Sequence, residues 1–198
     1  MDADDRGRTC ELVALLRQRA KVPETRTSVR STSVRLGVPA TEEEILAAES
    51  AIGARLHPVL RRMYADIGNG GFGPGYGLLR LNRKAPNEFP RSLLETYADF
   101  QRGGVAKRIL PLWEWGDSIW SCLDTGSPDA RIVTHDSVVG PTETRFTLQS
   151  WLEAWGSGLD LWKEIYEDVD AVIMNPFTKK PVTTKVRGTA KGRPWPGP

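Results

Sequence analysis

Long apolar runs are missing from this chain. Nowhere do about 18 apolar residues follow one another, which excludes a membrane-spanning helix read from sequence. The opening residues MDADDRGR are charged and hold no apolar stretch, so no secretory signal is expected. Cysteine is scarce: Cys10 and Cys122 stand far apart, and neither belongs to a Cys-x-x-Cys pair or a Cys/His cluster. That argues against a disulfide framework and against a zinc site, and reads as two reduced thiols in a cytoplasmic protein. Histidine is limited to His57 and His135. Neither lies in a recognisable nucleophile context, and G-x-S-x-G, H-E-x-x-H and the calcium-loop pattern are all missing. The expectation is a protein without catalytic residues, metal or cofactor.

Acidic residues are missing from one end. Beyond Ile173 there are six Lys/Arg and no Asp or Glu, a net +6; residues 1–35 carry +3 and residues 36–173 carry −7. The overall +2 therefore hides an acidic middle and a basic end, which attract different partners. At 198 residues the chain fits one domain with tails. The boundaries read from composition are an N-terminal arm over 1–35, with a short amphipathic helix at Glu11–Ala20 and a Ser/Thr/Arg-rich linker; a domain over 36–173; and a basic tail over 174–198. The tail is expected to be disordered, having too little apolar surface to offset its ordering entropy.

What is present in excess is glycine, concentrated in one stretch. Gly68–Leu81 reads GNGGFGPGYGLLRL, and six of its first ten residues are glycine. Glycine tolerates positive φ and lets other backbone come close. Gly68, Gly70 and Gly73 formally spell G-x-G-x-x-G, but a dinucleotide site needs a strand before that motif and a helix after it. Here the patterns predict a helix before and a strand (Tyr76–Leu81) after. A Walker loop would need a lysine, and the stretch has none. The run is read as a helix-to-strand connection whose large residues, Phe72 and Tyr76, anchor it.

The helix before it is well signalled. Thr41 with Glu44 forms a capping box ahead of Ile45, Ala48 and Ile52, and Gly53 stops that helix. His57-Pro58 starts the next one, whose apolar face is Val59, Leu60, Met63, Tyr64 and Ile67. After the run, a helix is expected from Phe89 or Pro90 to Gln101. A β-rich block follows. Arg108–Trp115 and Ser118–Asp124 flank the hairpin signal Gly116-Asp117, with further strands at Ala130–His135 and Glu143–Phe146. Strand alternation places Ile109, Trp113 and Trp115 on one face and Leu110, Leu112 and Glu114 on the other. Thr147 caps a last helical region reaching Tyr166, broken near Gly156 and Gly158, with Trp151, Trp155 and Trp162 turned to the core. Helices, then strands, then helices give an α+β fold: a twisted, mostly antiparallel sheet of about four to six strands, packed with helices from both ends of the chain.

These residues carry a resemblance. Thr41, Glu43, Glu44 and Ile45, then Ile52, Gly53, Leu56 and Pro58, then Asn69 through Leu79 are similar to the SUKH superfamily, which includes bacterial immunity proteins and a fungal cell-wall-assembly regulator. Ile109–Leu112, Trp115-Gly116, Ser121-Cys122 and Asp124 look like that family's central hairpin. Trp151, Leu152 and Trp155 with Leu161-Trp162 look like its closing helix. The likeness spans residues 36–166. It implies a cofactor-free domain and, in bacteria, a cytoplasmic immunity protein that neutralises a cognate toxin of a polymorphic toxin system. An acidic domain would suit docking onto a cationic toxin. The expected contact surface is the sheet and its rim: Phe72, Tyr76, Trp113, Trp115, Asp117 and Trp120, with Glu114 and Asp124 as acidic neighbours, since aromatic anchors ringed by charge concentrate binding energy. Two other readings stand beside it: a regulatory or scaffolding protein binding a cellular partner, and nucleic-acid binding through the basic tail, where Trp195 alone could stack on a base.

Overall fold

The computed structural model describes residues 3–22, 36–82 and 91–197. Six helices and seven strands follow in the order α1 (Ala3–Arg19), α2 (Glu42–Ile52), α3 (Pro58–Arg62), α4 (Leu93–Arg102), β1 (Ile109–Gly116), β2 (Ile119–Asp124), β3 (Arg131–Asp136), β4 (Gly140–Thr147), α5 (Leu148–Gly156), α6 (Leu161–Ile165), β5 (Tyr166–Met174), β6 (Pro181–Ala190) and β7 (Arg193–Pro194). The fold is α+β. Strands β1-β2-β3-β4-β7 make one antiparallel sheet, and β5-β6 form a separate two-stranded ribbon.

The helix starts follow their chemistry. Thr41 accepts from Glu44 N–H while the Glu44 carboxylate accepts from Thr41 N–H. His57 Nδ1 accepts from Val59 N–H at 3.3 Å, so this histidine is a cap. The helix after it widens into one π turn over Met63–Ile67. Ser92 and Glu95 form a second capping box, which starts α4 at Leu93; the expected start at Phe89 or Pro90 lies outside the described residues. The main core lies between the helices and one face of the large sheet, and Trp113, Trp151, Tyr64 and Tyr166 are its largest fully buried side chains.

Four expectations are corrected. The N-terminal helix is no separate arm: Leu12, Val13 and Leu16 are buried in the main core, and α1 packs on α5 so closely that a Cβ on Gly156 would lie 2.7 Å from Leu15 Cδ2. The apolar spacing that predicts the helix also supplies the face that docks it. The linker expected after it lies largely outside the described residues. The basic tail is not free of structure either. It forms β6, paired residue by residue with β5, and β7, which joins the large sheet. Its alternating Val182, Thr184 and Val186 meet Ile173, Ala171 and Val169 across the ribbon; pairing with the strand just before it across a short turn supplies what composition lacks. The last helical region ends at Ile165, and Tyr166 opens β5. The expected strand Tyr76–Leu81 reduces to a single bridge between Leu78 and Trp113.

The hairpin between β1 and β2 is shifted by one residue from its expected turn. Gly116 pairs with Ile119, and the two loop residues are Asp117 and Ser118 at φ 49° and 60°. Two left-handed residues in a row are what a type I′ turn requires. A bulge between Pro111 and Trp113 also breaks the alternation of β1. Ile109 therefore faces away from the main core, while Leu110, Trp113 and Trp115 all face into it.

Candidate functional site

The glycine run is built against the outer edge of β1. Tyr76 N–H donates to Glu114 O at 2.6 Å, and Leu79 N–H donates to Leu112 O at 2.8 Å. Two glycines make this approach possible. A Cβ on Gly75, at φ +66°, would lie 2.2 Å from Glu114 O, and one on Gly73, at φ +107°, would lie 2.5 Å from Trp113 Nε1. Alternating left-handed residues also explain why the run is not a strand. Tyr64 Oη donates to Leu79 O and Asn69 Oδ1 accepts from Leu81 N–H, which ties the far end of the run to the helix before it.

The run thus holds Phe72 inside the protein, tilted against Trp155 with ring centroids 6.4 Å apart. Trp113 and Trp115 are also interior. Trp115 Nε1 donates to Ser121 Oγ at 2.8 Å, and its ring lies between Trp151 and Trp162. These three aromatics, expected at a contact surface, are core residues: the bulge in β1 turns both tryptophans inward. Asp124 is a fourth correction. It is buried at the far end of β2, where it accepts from Trp195 Nε1 at 3.0 Å and from Gly126 N–H and sits 3.4 Å from Arg108 Nε.

Nor is the second face of the large sheet an open platform. Phe100 of α4 and Trp195 from the chain end cover Ile109, Cys122 and Val133. Trp195 is locked there by Arg108, whose guanidinium lies 4.5 Å from its ring centre and donates to Gly197 O. Beside this cover runs a cross-strand row, Glu114, Trp120 and His135, each paired in register with the next. Phe100 meets Trp120 edge-on at 5.2 Å and His135 at 4.6 Å. Burial pushes the His135 imidazole below its ordinary value, only partly opposed by Asp136, so the ring is held neutral. Burial pushes the Glu114 carboxyl up and the Cys122 thiol well up. A thiol so protonated is a poor nucleophile.

What remains at the surface lies at one end of the sheet. The β1–β2 turn with Asp117 and Ser118 stands beside the β3–β4 turn, joined to it by Ser137 N–H donating to Ser118 O at 3.1 Å. The second turn presents Val138 and Val139, which are 81% and 70% exposed. It is shaped by Asp136, whose buried carboxylate accepts from Val138 and Val139 N–H and from Tyr166 Oη. Tyr76 leans on Gly116 from the other side. Of the residues expected at a contact surface, Tyr76, Glu114, Asp117 and Trp120 are therefore brought to this end. Val138 and Val139 were missed; two adjacent valines flanked by Ser137 and Gly140 in a turn were the available signal. Next to this end, Asp136, Val139, Thr142, Tyr166 and the Gly188–Ala190 stretch line an open cleft of about 400 Å³.

Neither a scan of protein-family models nor a search of curated proteins returns a match to this chain. Among the described residues no helix is long and apolar enough to cross a membrane, and no group of His, Cys, Asp and Glu is arranged to hold a metal ion.

Proposed function

We propose that this chain is a non-enzymatic, SUKH-like protein-binding module of the cytoplasm, acting as an immunity protein that neutralises a cognate toxin by covering a surface the toxin needs. The observation that carries the contact site is the pair of joined hairpin tips, where two exposed valines stand beside Asp117 with Tyr76, Glu114 and Trp120 behind them. A small apolar centre beside an exposed acid on paired strands is suited to a cationic protein surface. The net −7 of residues 36–173 adds long-range attraction for such a partner. The family reading rests on the resemblance of the helix pair and glycine run.

The test is co-expression with the C-terminal domain of the neighbouring gene's product, scored as rescue of growth. The account expects rescue by the native chain and loss of rescue by Val138→Asp/Val139→Asp with the fold intact. No toxin gene in that neighbourhood, or rescue indifferent to both valines, contradicts it.

A further inference from the structure

The second face of the large sheet carries one chemical arrangement at both ends, complete at one and incomplete at the other. At the end near Asp124 an acid, an indole and a guanidinium meet. Asp124 accepts from Trp195 Nε1 at 3.0 Å. The Arg108 guanidinium lies 3.4 Å from the Asp124 carboxylate and 4.5 Å from the Trp195 ring centre. A planar, weakly hydrated guanidinium suits this setting, because it pairs with a carboxylate and lies on an aromatic ring at once.

Trp120 precedes Asp124 by four residues along β2 and shares its face, and Glu114 of β1 stands directly opposite Trp120. Side chains so paired leave their strands about 5 Å apart. Here the acid and the indole recur without the cation. Both side chains are half-buried. Burial alone moves the Glu114 carboxyl: among the described residues no hydrogen bond and no cation acts on it. Phe100 meets Trp120 edge-on and His135 stacks along it from β3, so the ring is fixed in place. Its flank toward Glu114 meets no other ring among the described residues. A carboxylate held part-buried without a partner lowers stability, and such departures from local consistency gather at functional sites.

We propose that Glu114 and Trp120 receive one arginine side chain of the protein partner, its guanidinium paired with the carboxylate and laid along the indole. This rests on the protein-binding reading above and gives that contact site a polar anchor. A protein side chain fits better than a free small molecule, because the same sheet end carries the exposed Val138 and Val139, which a small ligand would leave uncovered. Lysine would meet the carboxylate as a point charge and would not lie flat on the ring.

Nuclear magnetic resonance of the full chain, read at the Trp120 indole N–H, tests the site with N-acetyl-arginine amide as the probe. Loss of the signal in Trp120→Phe assigns it. The native chain should give a saturable shift, and N-acetyl-citrulline amide, of the same shape without the charge, should give none. Glu114→Gln should weaken the probe about tenfold or more while the melting temperature holds or rises. A residue serving the fold alone would not part binding from stability in this way. No saturable shift, an equal shift with the citrulline probe, or binding unchanged in Glu114→Gln overturns the proposal. Tighter binding of free L-arginine than of the blocked amide assigns the site to a small molecule and also overturns it. In the co-expression assay, rescue that survives Glu114→Gln overturns the anchor and leaves the immunity reading standing. Arginine binding without any rescue by the native chain supports the anchor and contradicts the immunity reading.

Discussion

The two sheets of this protein handle their edges in opposite ways. Each edge of the large sheet carries added backbone over part of its length. The glycine run bonds to the open backbone of β1 through Tyr76 and Leu79, and the chain end supplies β7 along β4. Among the described residues the small ribbon has no strand beyond β5 or beyond β6. Unpaired edges invite strands from other chains, and natural sheets cover or blunt them. Here a glycine-rich run shields an edge of the sheet that forms the core, while the same chain leaves a ribbon uncovered. Coverage of the first and exposure of the second separate the part that holds the fold from the part available for association.

That contrast can be broken at graded points. Trp113→Ala should have the largest effect, about 3–5 kcal/mol of lost stability, because it empties the centre of the core behind the sealed edge. Denaturant unfolding measures it. Gly75→Ala should cost about 1–3 kcal/mol, since a side chain there meets Glu114 O in a left-handed conformation. If it is neutral, the seal on β1 is looser than its geometry. Trp195→Ala should cost about 1–2 kcal/mol by removing the stacking with Arg108 and the hydrogen bond to Asp124, and should speed exchange of β4 amides at the other edge. Val172→Thr in the ribbon should change stability by less than about 0.5 kcal/mol, because its side chain is largely in solvent.

The second face adds a pH dependence whose sign follows from burial. The His135 imidazole has its folded pKa lowered from the ordinary 6.5, so below that pH the unfolded chain takes up a proton that the folded chain resists. Its contribution is intact above 6.5 and is lost as pH falls from there. Glu114 works in the other direction: its folded pKa is raised from the ordinary 4.5, so its cost appears as pH rises through that value. Glu114→Gln should therefore raise stability at neutral pH, and His135→Gln should flatten the decline below pH 6.5. Thermal melts across that range check both, and a loss of stability in Glu114→Gln at neutral pH would contradict the burial account.

The sequence was legible wherever a local rule decided the outcome. The Thr41–Glu44 box, the His57-Pro58 start, the stops at Gly53 and Gly156, and the four β-rich segments all rest on contacts a few residues apart, and each forms close to where its signal lies. Three things were not legible. The bulge in β1 adds one residue to the pleat and so reverses the face of Ile109 relative to Trp113; alternation read along a strand does not reveal it. The ribbon depends on β6 meeting β5 across a turn, so the composition of the tail alone reads as solvated chain. Of the residues expected at a contact surface, the fold brings Tyr76, Glu114, Asp117 and Trp120 toward the hairpin end. Phe72, Trp113 and Trp115 were misplaced because an aromatic looks the same in a core as at an interface. Val138 and Val139 are exposed only because Asp136 pins their turn from beneath.

Amide hydrogen exchange of the native protein at several concentrations tests the contrast most directly. The account predicts slow exchange in β1–β4 and faster exchange over residues 167–174, at every concentration. Equal protection of both sheets, or faster exchange in β1 than in the ribbon, would contradict it.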